Sequence, residues 1–181
     1  MPFERTGTED VFSGKIARVR VDTFRHEDGE EVTREIVAHP GAVAVFAHDG
    51  ERFFLVAQPR EAVDEQRLLE LPAGKLDEEG EDALATAKRE LAEEIGKGAH
   101  DWRYLTSCYS SPGFADEEIH LFEATGLYDA EAASEEIERI EIESIPLAQL
   151  DETIAVCRDA KSLVAMLWVR AFGTLGTAPG A

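Results

Sequence analysis

The chain has 181 residues, enough for one domain with a substantial core, and its 44% hydrophobic and 31% charged residues are ordinary for a globular protein. Its formal net charge of −20 argues against partners such as nucleic acid or anionic membranes, because the electrostatic term would be repulsive. The sequence has no apolar signal segment and its two cysteines form no C-x-x-C pair, so we expect a cytoplasmic protein with reduced thiols.

The first forty residues predict a small antiparallel sheet. Apolar and polar residues alternate over residues 10–25 and again over 32–38, the pattern of half-buried strands. Asp28 and Gly29 lie between these segments and form a common hairpin turn pair. We therefore assign residues 1–40 to an N-terminal β-extension.

The next segments predict the strands of a larger domain. Residues 42–47 form a continuous apolar run, which is typical of a strand buried on both faces. After a short turn, residues 52–57 are expected to return as its hairpin partner, followed by a polar loop over residues 61–67. Further strands are predicted at residues 102–109, 117–124 and 140–145.

Three helices are predicted. Residues 82–95 contain strong helix formers without Pro or Gly, and Gly96 supplies a stop. A second helix is expected to begin at Pro146, and a third covers residues 160–172. Together the elements predict a mixed sheet with helices on both faces over residues 41–173, followed by a flexible tail at 174–181.

The helix at 82–95 carries an unfavourable group of carboxylates. Glu90, Glu93 and Glu94 share one side of it, where like charges cost roughly 0.2–0.5 kcal/mol per pair. They also oppose the negative end of the helix dipole. One interpretation is a solvated acidic face. The other is a binding site for Mg²⁺ or Mn²⁺, which prefer clustered oxygen ligands.

The residues around this cluster resemble the Nudix box of Nudix hydrolases, G-x5-E-x7-R-E-U-x-E-E-x-G-U, where U is aliphatic. The matching residues are Glu81, Arg89, Glu90, Leu91, Glu93, Glu94 and Gly96. Two positions depart from the pattern, because six residues separate Gly74 from Glu81 and Lys97 replaces the last aliphatic residue. The helical half of the motif is intact.

Segments outside the box resemble the ADP-ribose pyrophosphatase branch of that family. They are Arg34-Glu35, His39-Pro-Gly, Gln58-Pro-Arg60, Leu69-Glu70-Leu-Pro-Ala-Gly74, and Ser111-Pro-Gly113 with Glu117 after it. The resemblance covers roughly residues 11–168. It implies a Nudix-type α/β/α sandwich with a mixed sheet, preceded by the small N-terminal antiparallel sheet.

The resemblance also implies a reaction and its parts: hydrolysis of the pyrophosphate of ADP-ribose to AMP and ribose 5-phosphate. Mg²⁺, for which Mn²⁺ would substitute, is expected on the Ala73 carbonyl and on Glu90, Glu93 and Glu94. Arg89 and Glu81 are expected to support these ligands. The expected substrate-binding residues are Arg34, Arg60, Glu70, Gly113 and Glu117.

The family uses a loop glutamate as general base, and in this sequence Glu138 is preferred over Glu136. Its N-terminal strands pair two subunits, so a homodimer is expected. Alternatives remain open at this stage. The chain would be another Nudix hydrolase that cleaves a different nucleoside diphosphate sugar or a dinucleotide, or a nucleotide-sensing module without catalysis. For Arg34 and Arg60, the alternative to a substrate contact is a surface ion pair with one of the many carboxylates.

Overall fold

The computed structural model describes residues 2–15, 17–78, 80–131 and 140–174. The chain divides into two compact units. The first comprises Met1–Gly41 and Tyr109–Glu118, and the second comprises Ala42–Cys108 and Ile119–Ala181. Within the described residues, no helix is long and apolar enough to cross a bilayer.

The first unit contains a three-stranded antiparallel sheet. Its strands, in the order β1-β2-β3, are Phe3–Ser13, Arg18–His26 and Glu31–Ala38. This confirms the predicted N-terminal sheet, although β1 begins well before residue 10. The start of β1 is almost entirely exposed, so it carries no burial periodicity that a sequence pattern would reveal.

The segment Tyr109–Glu118 also belongs to the first unit, which the sequence did not indicate. The backbone N–H of Val37 donates to the Phe114 carbonyl (2.8 Å), and the N–H of Asp116 donates to the Val37 carbonyl (3.3 Å). The side chain of Arg20 pairs with Asp116 at 2.8 Å. This loop is therefore held on strands β2 and β3 by both backbone and side-chain contacts.

The second unit contains two sheets. The four-stranded sheet has the order β7-β4-β9-β8, with strands Ala73–Lys75, Ala42–Ala47, Glu118–Asp129 and Lys97–Tyr109. It is mixed, because β4 is antiparallel to β7 and parallel to β9. The other sheet is antiparallel, with the order β10-β5-β6 and strands Glu141–Pro146, Arg52–Arg60 and Glu65–Glu70.

Two predictions for this region were wrong. Residues 52–57 do not form a hairpin with 42–47, because β7 and β9 occupy both edges of β4. An isolated antiparallel bridge joins His48, just after β4, to Phe53 near the start of β5, and β5 then pairs with β6 and β10 in the other sheet. Residues 61–67 are not simply a loop either, since a 3-10 turn at Glu61–Val63 leads directly into β6.

The helices are α1 (Ala83–Ile95), α2 (Leu150–Val156) and α3 (Ala160–Phe172). The predicted boundaries of α1 and α3 are confirmed to within a residue. Pro146 does not begin a helix. It ends β10 and precedes a 3-10 turn at Leu147–Gln149, so α2 begins only at Leu150.

Strand β4 lies at the centre of the hydrophobic core. On one face, Ala42, Ala44 and Phe46 belong to a cluster that includes Ala165, Met166 and Val169 of α3. On the other, Val43, Val45 and Ala47 cluster with Ala87, Leu91 and Ile95 of α1. The expected α/β architecture, with helices on both faces of a mixed sheet, is confirmed.

Candidate functional site

Arg89 of α1 lies at the centre of a carboxylate cluster. Its Nη1 donates to Glu90 Oε1 at 2.7 Å and to Glu93 Oε2 at 3.0 Å, and its Nε donates to Glu81 Oε2 at 3.2 Å. Helical spacing brings Glu93 within reach, since residues four apart share a face. The guanidinium thus draws together three of the carboxylates that the sequence singled out.

Arg89 stays cationic in this setting. Partial burial lowers its pKa, but the charge of Glu90 and the hydrogen bonds to Glu81 and Glu93 raise it further, so the net pKa is above its ordinary value. Its Nη2 is buried and has no hydrogen-bond partner within the described part of the chain. With Glu94 beside them, the carboxylates of this cluster outnumber the guanidinium that binds them.

The entry to α1 fixes Glu81. Asp82 caps the helix by accepting from the Ala85 N–H at 2.8 Å. The buried Thr86 hydroxyl donates to Glu81 Oε2 at 3.1 Å, a contact that the sequence analysis missed. Before the helix, the backbone N–H of Glu81 donates to the Glu78 carbonyl at 3.3 Å, and Gly80 has a positive φ of +88°.

Strand β7 faces the same carboxylates. The backbone N–H of Ala73 donates to Glu94 Oε2 at 2.9 Å. A methyl group added at Gly74 would overlap the carboxyl carbon and Oε1 of Glu90. Any larger residue at position 74 would therefore displace the carboxylate of Glu90 from its present position, because only the bare Cα of glycine leaves room for it.

The donor set suits a divalent cation such as Mg²⁺. Its oxygens are hard ligands, and clustered carboxylates that exceed the adjacent positive charge attract such an ion. Across the described residues, no group of three or more Asp, Glu, His or Cys side chains is arranged to enclose a metal. Such a cage is not needed for Mg²⁺, which usually keeps several waters and one or two carboxylates. The residues present therefore fit this ion.

Arg60 and Glu70 form a second charged group in the same unit. Arg60 binds Glu70 in bidentate fashion, with Nε to Oε1 at 2.5 Å and Nη2 to Oε2 at 2.9 Å. Lys161 of α3 also pairs with Glu70 Oε2. Burial raises the pKa of Glu70, but the hydrogen bond from Arg60 and the charge of Lys161 outweigh it and leave the pKa below its ordinary value. Glu70 is only 1% exposed.

Arg34, Gly113 and Glu117 all belong to the first unit. Arg34 is exposed on β3 and donates to the Thr33 carbonyl at 2.8 Å. Gly113 lies in the exposed turn after Ser111, and an added methyl group would meet nothing within 4 Å. Glu117 lies 3.5 Å from Nδ1 of His39.

Glu136 and Glu138, the two candidates for the general base, lie outside the described residues. Lys161 and Ser162 also contact this site, although no pattern in the sequence indicated them. The Ser162 hydroxyl accepts from the Leu71 N–H at 2.7 Å, next to Glu70. These partners are 91 positions apart, and no local pattern connects positions so distant.

The sequence of this chain is similar to a known domain family and to characterised bacterial proteins. The sequence model of the NUDIX domain matches residues 38–166. A methanol dehydrogenase activator from Bacillus methanolicus is 39% identical over 167 residues, covering 90% of this chain and 90% of that protein. An ADP-ribose pyrophosphatase from Bacillus subtilis (strain 168) is 43% identical over 142 residues, covering 77% of this chain and 76% of that protein.

A solved structure agrees with the fold. The crystal structure of an ADP compounds hydrolase matches with a TM-score of 0.81, covering 94% of each chain. Its sequence identity of 21% supports the architecture alone. The NUDIX match includes the carboxylate cluster, Arg60 and Glu70, whereas Arg34 precedes it.

Proposed function

Because this chain belongs to the Nudix family and is a Nudix pyrophosphohydrolase, we propose that it hydrolyses the pyrophosphate of ADP-ribose to AMP and ribose 5-phosphate. The similarity to the B. subtilis ADP-ribose pyrophosphatase supports this choice of substrate. Members of the family act on small nucleotide-sugar substrates. Cleavage between the two phosphates of ADP-ribose would release AMP and ribose 5-phosphate.

One observation carries the catalytic part of this proposal. Glu90 packs against the bare Cα of Gly74, while Glu94 accepts from the neighbouring Ala73 N–H at 2.9 Å. Two carboxylates one helical turn apart are thus presented to a single backbone segment. An acidic helix face that served only solubility would have no reason to pack its carboxylates so closely on a strand.

Nudix hydrolases generally use a divalent metal ion, and Mg²⁺ is the ion proposed for this chain, with Mn²⁺ as a substitute. Glu90, Glu93, Glu94 and the Ala73 carbonyl would hold it. When bound, the ion would neutralise part of the diphosphate charge and favour attack by water. Arg89 would hold Glu90 and Glu93 in place, and Glu81 would anchor Arg89 from the loop.

A separate carboxylate would accept the proton of the attacking water. The glutamates of α1 would bind the ion or pair with Arg89, so they would not be available to accept a proton. The proposed base is therefore Glu138, with Glu136 as the alternative. Both belong to the acidic stretch before β10.

The proposed substrate contacts are Arg34, Arg60, Glu70, Gly113 and Glu117. Arg60 would bind phosphate oxygens, to which a planar guanidinium is well matched. Its side chain is 44% exposed although it pairs with Glu70, so the residue is open to solvent. Since Glu70 is almost fully buried, we propose that it acts by orienting Arg60 rather than by extensive contact with substrate.

The N-terminal extension, residues 1–40, is proposed to pair two copies of the chain. The exposed aromatic side chains of its first strand, Phe3 and Phe12, would be covered in such a homodimer. Residues 41–173 would then form the hydrolase domain. A cytoplasmic location remains a prediction of the sequence.

A substrate panel tests this function. The protein is incubated with ADP-ribose, GDP-mannose and a dinucleotide in the presence of Mg²⁺, and the released nucleotides are quantified by chromatography. AMP from ADP-ribose should dominate, EDTA should abolish turnover, and Mg²⁺ or Mn²⁺ should restore it. Faster cleavage of GDP-mannose or the dinucleotide would contradict the choice of ADP-ribose, and full activity in EDTA would contradict the role of metal.

The methanol dehydrogenase activator suggests a second candidate function, because it covers more of this chain than the pyrophosphatase does. In that case the chain would stimulate a methanol dehydrogenase. The wild-type protein and its Glu90→Gln variant would be added separately to purified methanol dehydrogenase, and the rate of methanol oxidation would be measured. Stimulation by the wild-type protein alone would support this function and link it to hydrolysis, and no stimulation would remove it.

A further inference from the structure

The segment Glu70–Gly74 connects β6 to β7 and reaches the carboxylate cluster with its last two residues. Ala73 donates its N–H to Glu94, and Gly74 packs against Glu90. The Pro72 carbonyl accepts from the Val45 N–H of β4 at 2.9 Å. A shift of this segment would therefore move the surface that Glu90 and Glu94 contact.

The first turn of α3 holds the other end of the segment. Lys161 pairs with the Glu70 carboxylate, and the Ser162 hydroxyl accepts from the Leu71 N–H at 2.7 Å. Both contacts are enclosed, since Glu70 and Ser162 are each 1% exposed and Leu71 is fully buried. An enclosed polar contact is lost at greater cost than an exposed one, because water cannot replace it.

Asp159 ties the two α3 residues together. It caps the helix by accepting from the Ser162 N–H at 3.0 Å, and it accepts from the Ser162 hydroxyl at 2.5 Å. It also pairs with Lys161 at 3.0 Å. The hydroxyl of Ser162 donates to Asp159 and accepts from Leu71, so its orientation is determined from both sides.

The charge of this group also reaches the site. Arg60 shares Glu70 with Lys161, and the negative charge of Glu94 contributes to the raised pKa of Arg60. Removing Lys161 would leave Glu70 to Arg60 alone and change the field beside Glu94. Helix α3 therefore influences Glu94 in two ways, through the position of the Glu70–Gly74 backbone and through the charge of Lys161.

We propose that Lys161 and Ser162 are positioning residues of the carboxylate site, which act on Glu90 and Glu94 by fixing the Glu70–Gly74 segment. This inference rests on the proposed function, because it treats those glutamates as ligands of a divalent ion. Neither residue would touch the ion or the substrate. Their effect would be to keep the carboxylates of the site ordered before the ion or the substrate binds.

The test measures binding of Mn²⁺ alone, without nucleotide, by isothermal titration and electron paramagnetic resonance. Loss of an outer-shell partner typically weakens metal binding about 10–100-fold, so Lys161→Met and Ser162→Ala should each raise the Kd by about 10-fold. Lys161→Arg keeps the charge and should recover part of the loss. Arg170→Met is the matched control, since Arg170 lies on the same helix as Lys161 and Ser162 but its ion pair, with Asp151 of α2, is exposed.

Thermal unfolding of each variant is followed in parallel. If Lys161→Met does not fold, Ser162→Ala decides, because it leaves no buried charge without its partner. Folded variants that bind Mn²⁺ as tightly as the wild type would overturn the inference while leaving the proposed function intact. A wild-type protein that binds no Mn²⁺ would overturn both.

Discussion

Arg89 reduces the electrostatic repulsion among the glutamates of α1 in the folded protein. Its guanidinium contacts Glu81, Glu90 and Glu93, so repulsion among the carboxylates is offset by charge-assisted hydrogen bonds. A Gln at position 90 or 94 would retain a hydrogen-bond acceptor but lose the charge. Stability and activity should therefore respond differently to such a change.

We expect Glu90→Gln and Glu94→Gln each to lower kcat by about 10²-fold or more, the usual loss when a positioned charge-stabilising element is removed. The Tm should change by no more than about 3 °C, because the acceptor contacts remain. Steady-state kinetics with ADP-ribose and calorimetry make the comparison. Glu143→Gln, in an exposed ion pair with Arg67, is the control. Normal kcat with a large fall in Tm would mean that this helix face is structural.

Gly74 gives a second test at the residue scale. In Gly74→Ala the new methyl group would overlap the end of the flexible Glu90 side chain, which must move away. We expect kcat to fall at least about 10-fold, as for loss of an outer-shell contact, with little change in Tm. Gly7→Ala is the control, because its methyl group would meet Thr23 only at ordinary distances. Unchanged kinetics in Gly74→Ala would show that the position of Glu90 is not critical.

The proposed base is tested with Glu138→Gln and Glu136→Gln. The variant that removes the base should lose roughly 10²–10⁴-fold in kcat, with little change in KM, since it would not be a primary ligand. Raising the pH should restore part of the rate, because hydroxide would replace the missing base. A pH profile of kcat for both variants identifies the residue. Near-normal kcat in the double variant would place the base elsewhere, with Glu93 and Glu117 as the next residues to test.

At the scale of elements, α3 and β6 are joined by the buried carboxylate of Glu70. Its pKa is lowered in the folded protein, so the unfolded chain binds a proton more readily. The stabilisation by Glu70 is complete above its unfolded pKa, near 4.3, and is lost as the pH falls through the lower folded pKa. The join between these two elements should therefore weaken in acid.

Glu70→Gln should be less stable than the wild type at pH 7, by about 3 kcal/mol, because it leaves Arg60 and Lys161 without their shared carboxylate. The difference should shrink as the pH falls through the lowered folded pKa of Glu70, because the wild-type carboxylate then takes up a proton. Urea unfolding between pH 7 and pH 3 measures it, with the exposed Glu143→Gln as control. A difference that does not depend on pH would contradict a lowered pKa for Glu70.

At the scale of the whole molecule, the first unit leaves large apolar side chains in water. Phe3, Val11 and Phe12 of β1 are each more than half exposed. Large apolar side chains that lie together on an exposed strand are typical of a surface that binds a partner. A second copy of the chain would cover them, in agreement with the proposed homodimer.

Light scattering should therefore give about twice the 19.9 kDa chain mass. Phe12→Glu should shift the protein towards the monomer, because it would place a charge in the covered surface. Phe172→Glu, at an equally exposed aromatic position at the end of α3, should leave the mass unchanged. A wild-type monomer with full activity on ADP-ribose would contradict a functional dimer.

The sequence by itself determined the features that depend on near neighbours. Helix α1 was predicted to within a residue, because its run of strong helix formers and its stop at Gly96 are local signals, although Asp82 proved to be its cap rather than its first residue. The pairing of Arg89 with Glu93 follows from helical spacing, because residues four apart lie on the same face. The burial of β4 on both faces likewise follows from its unbroken apolar run.

Only the tertiary structure decided the contacts between residues far apart in the chain. Strand β4 pairs with β7 and β9 rather than with β5, the next strand in the chain. A strand has only two edges, and β7 and β9 occupy both edges of β4. The packing of Glu90 on Gly74 and the holding of Glu70 by Lys161 likewise join separate elements. Neither periodicity nor spacing predicts such contacts, because they depend on how the helices pack against the sheets. The sequence therefore specified the carboxylates, and the fold specified what surrounds them.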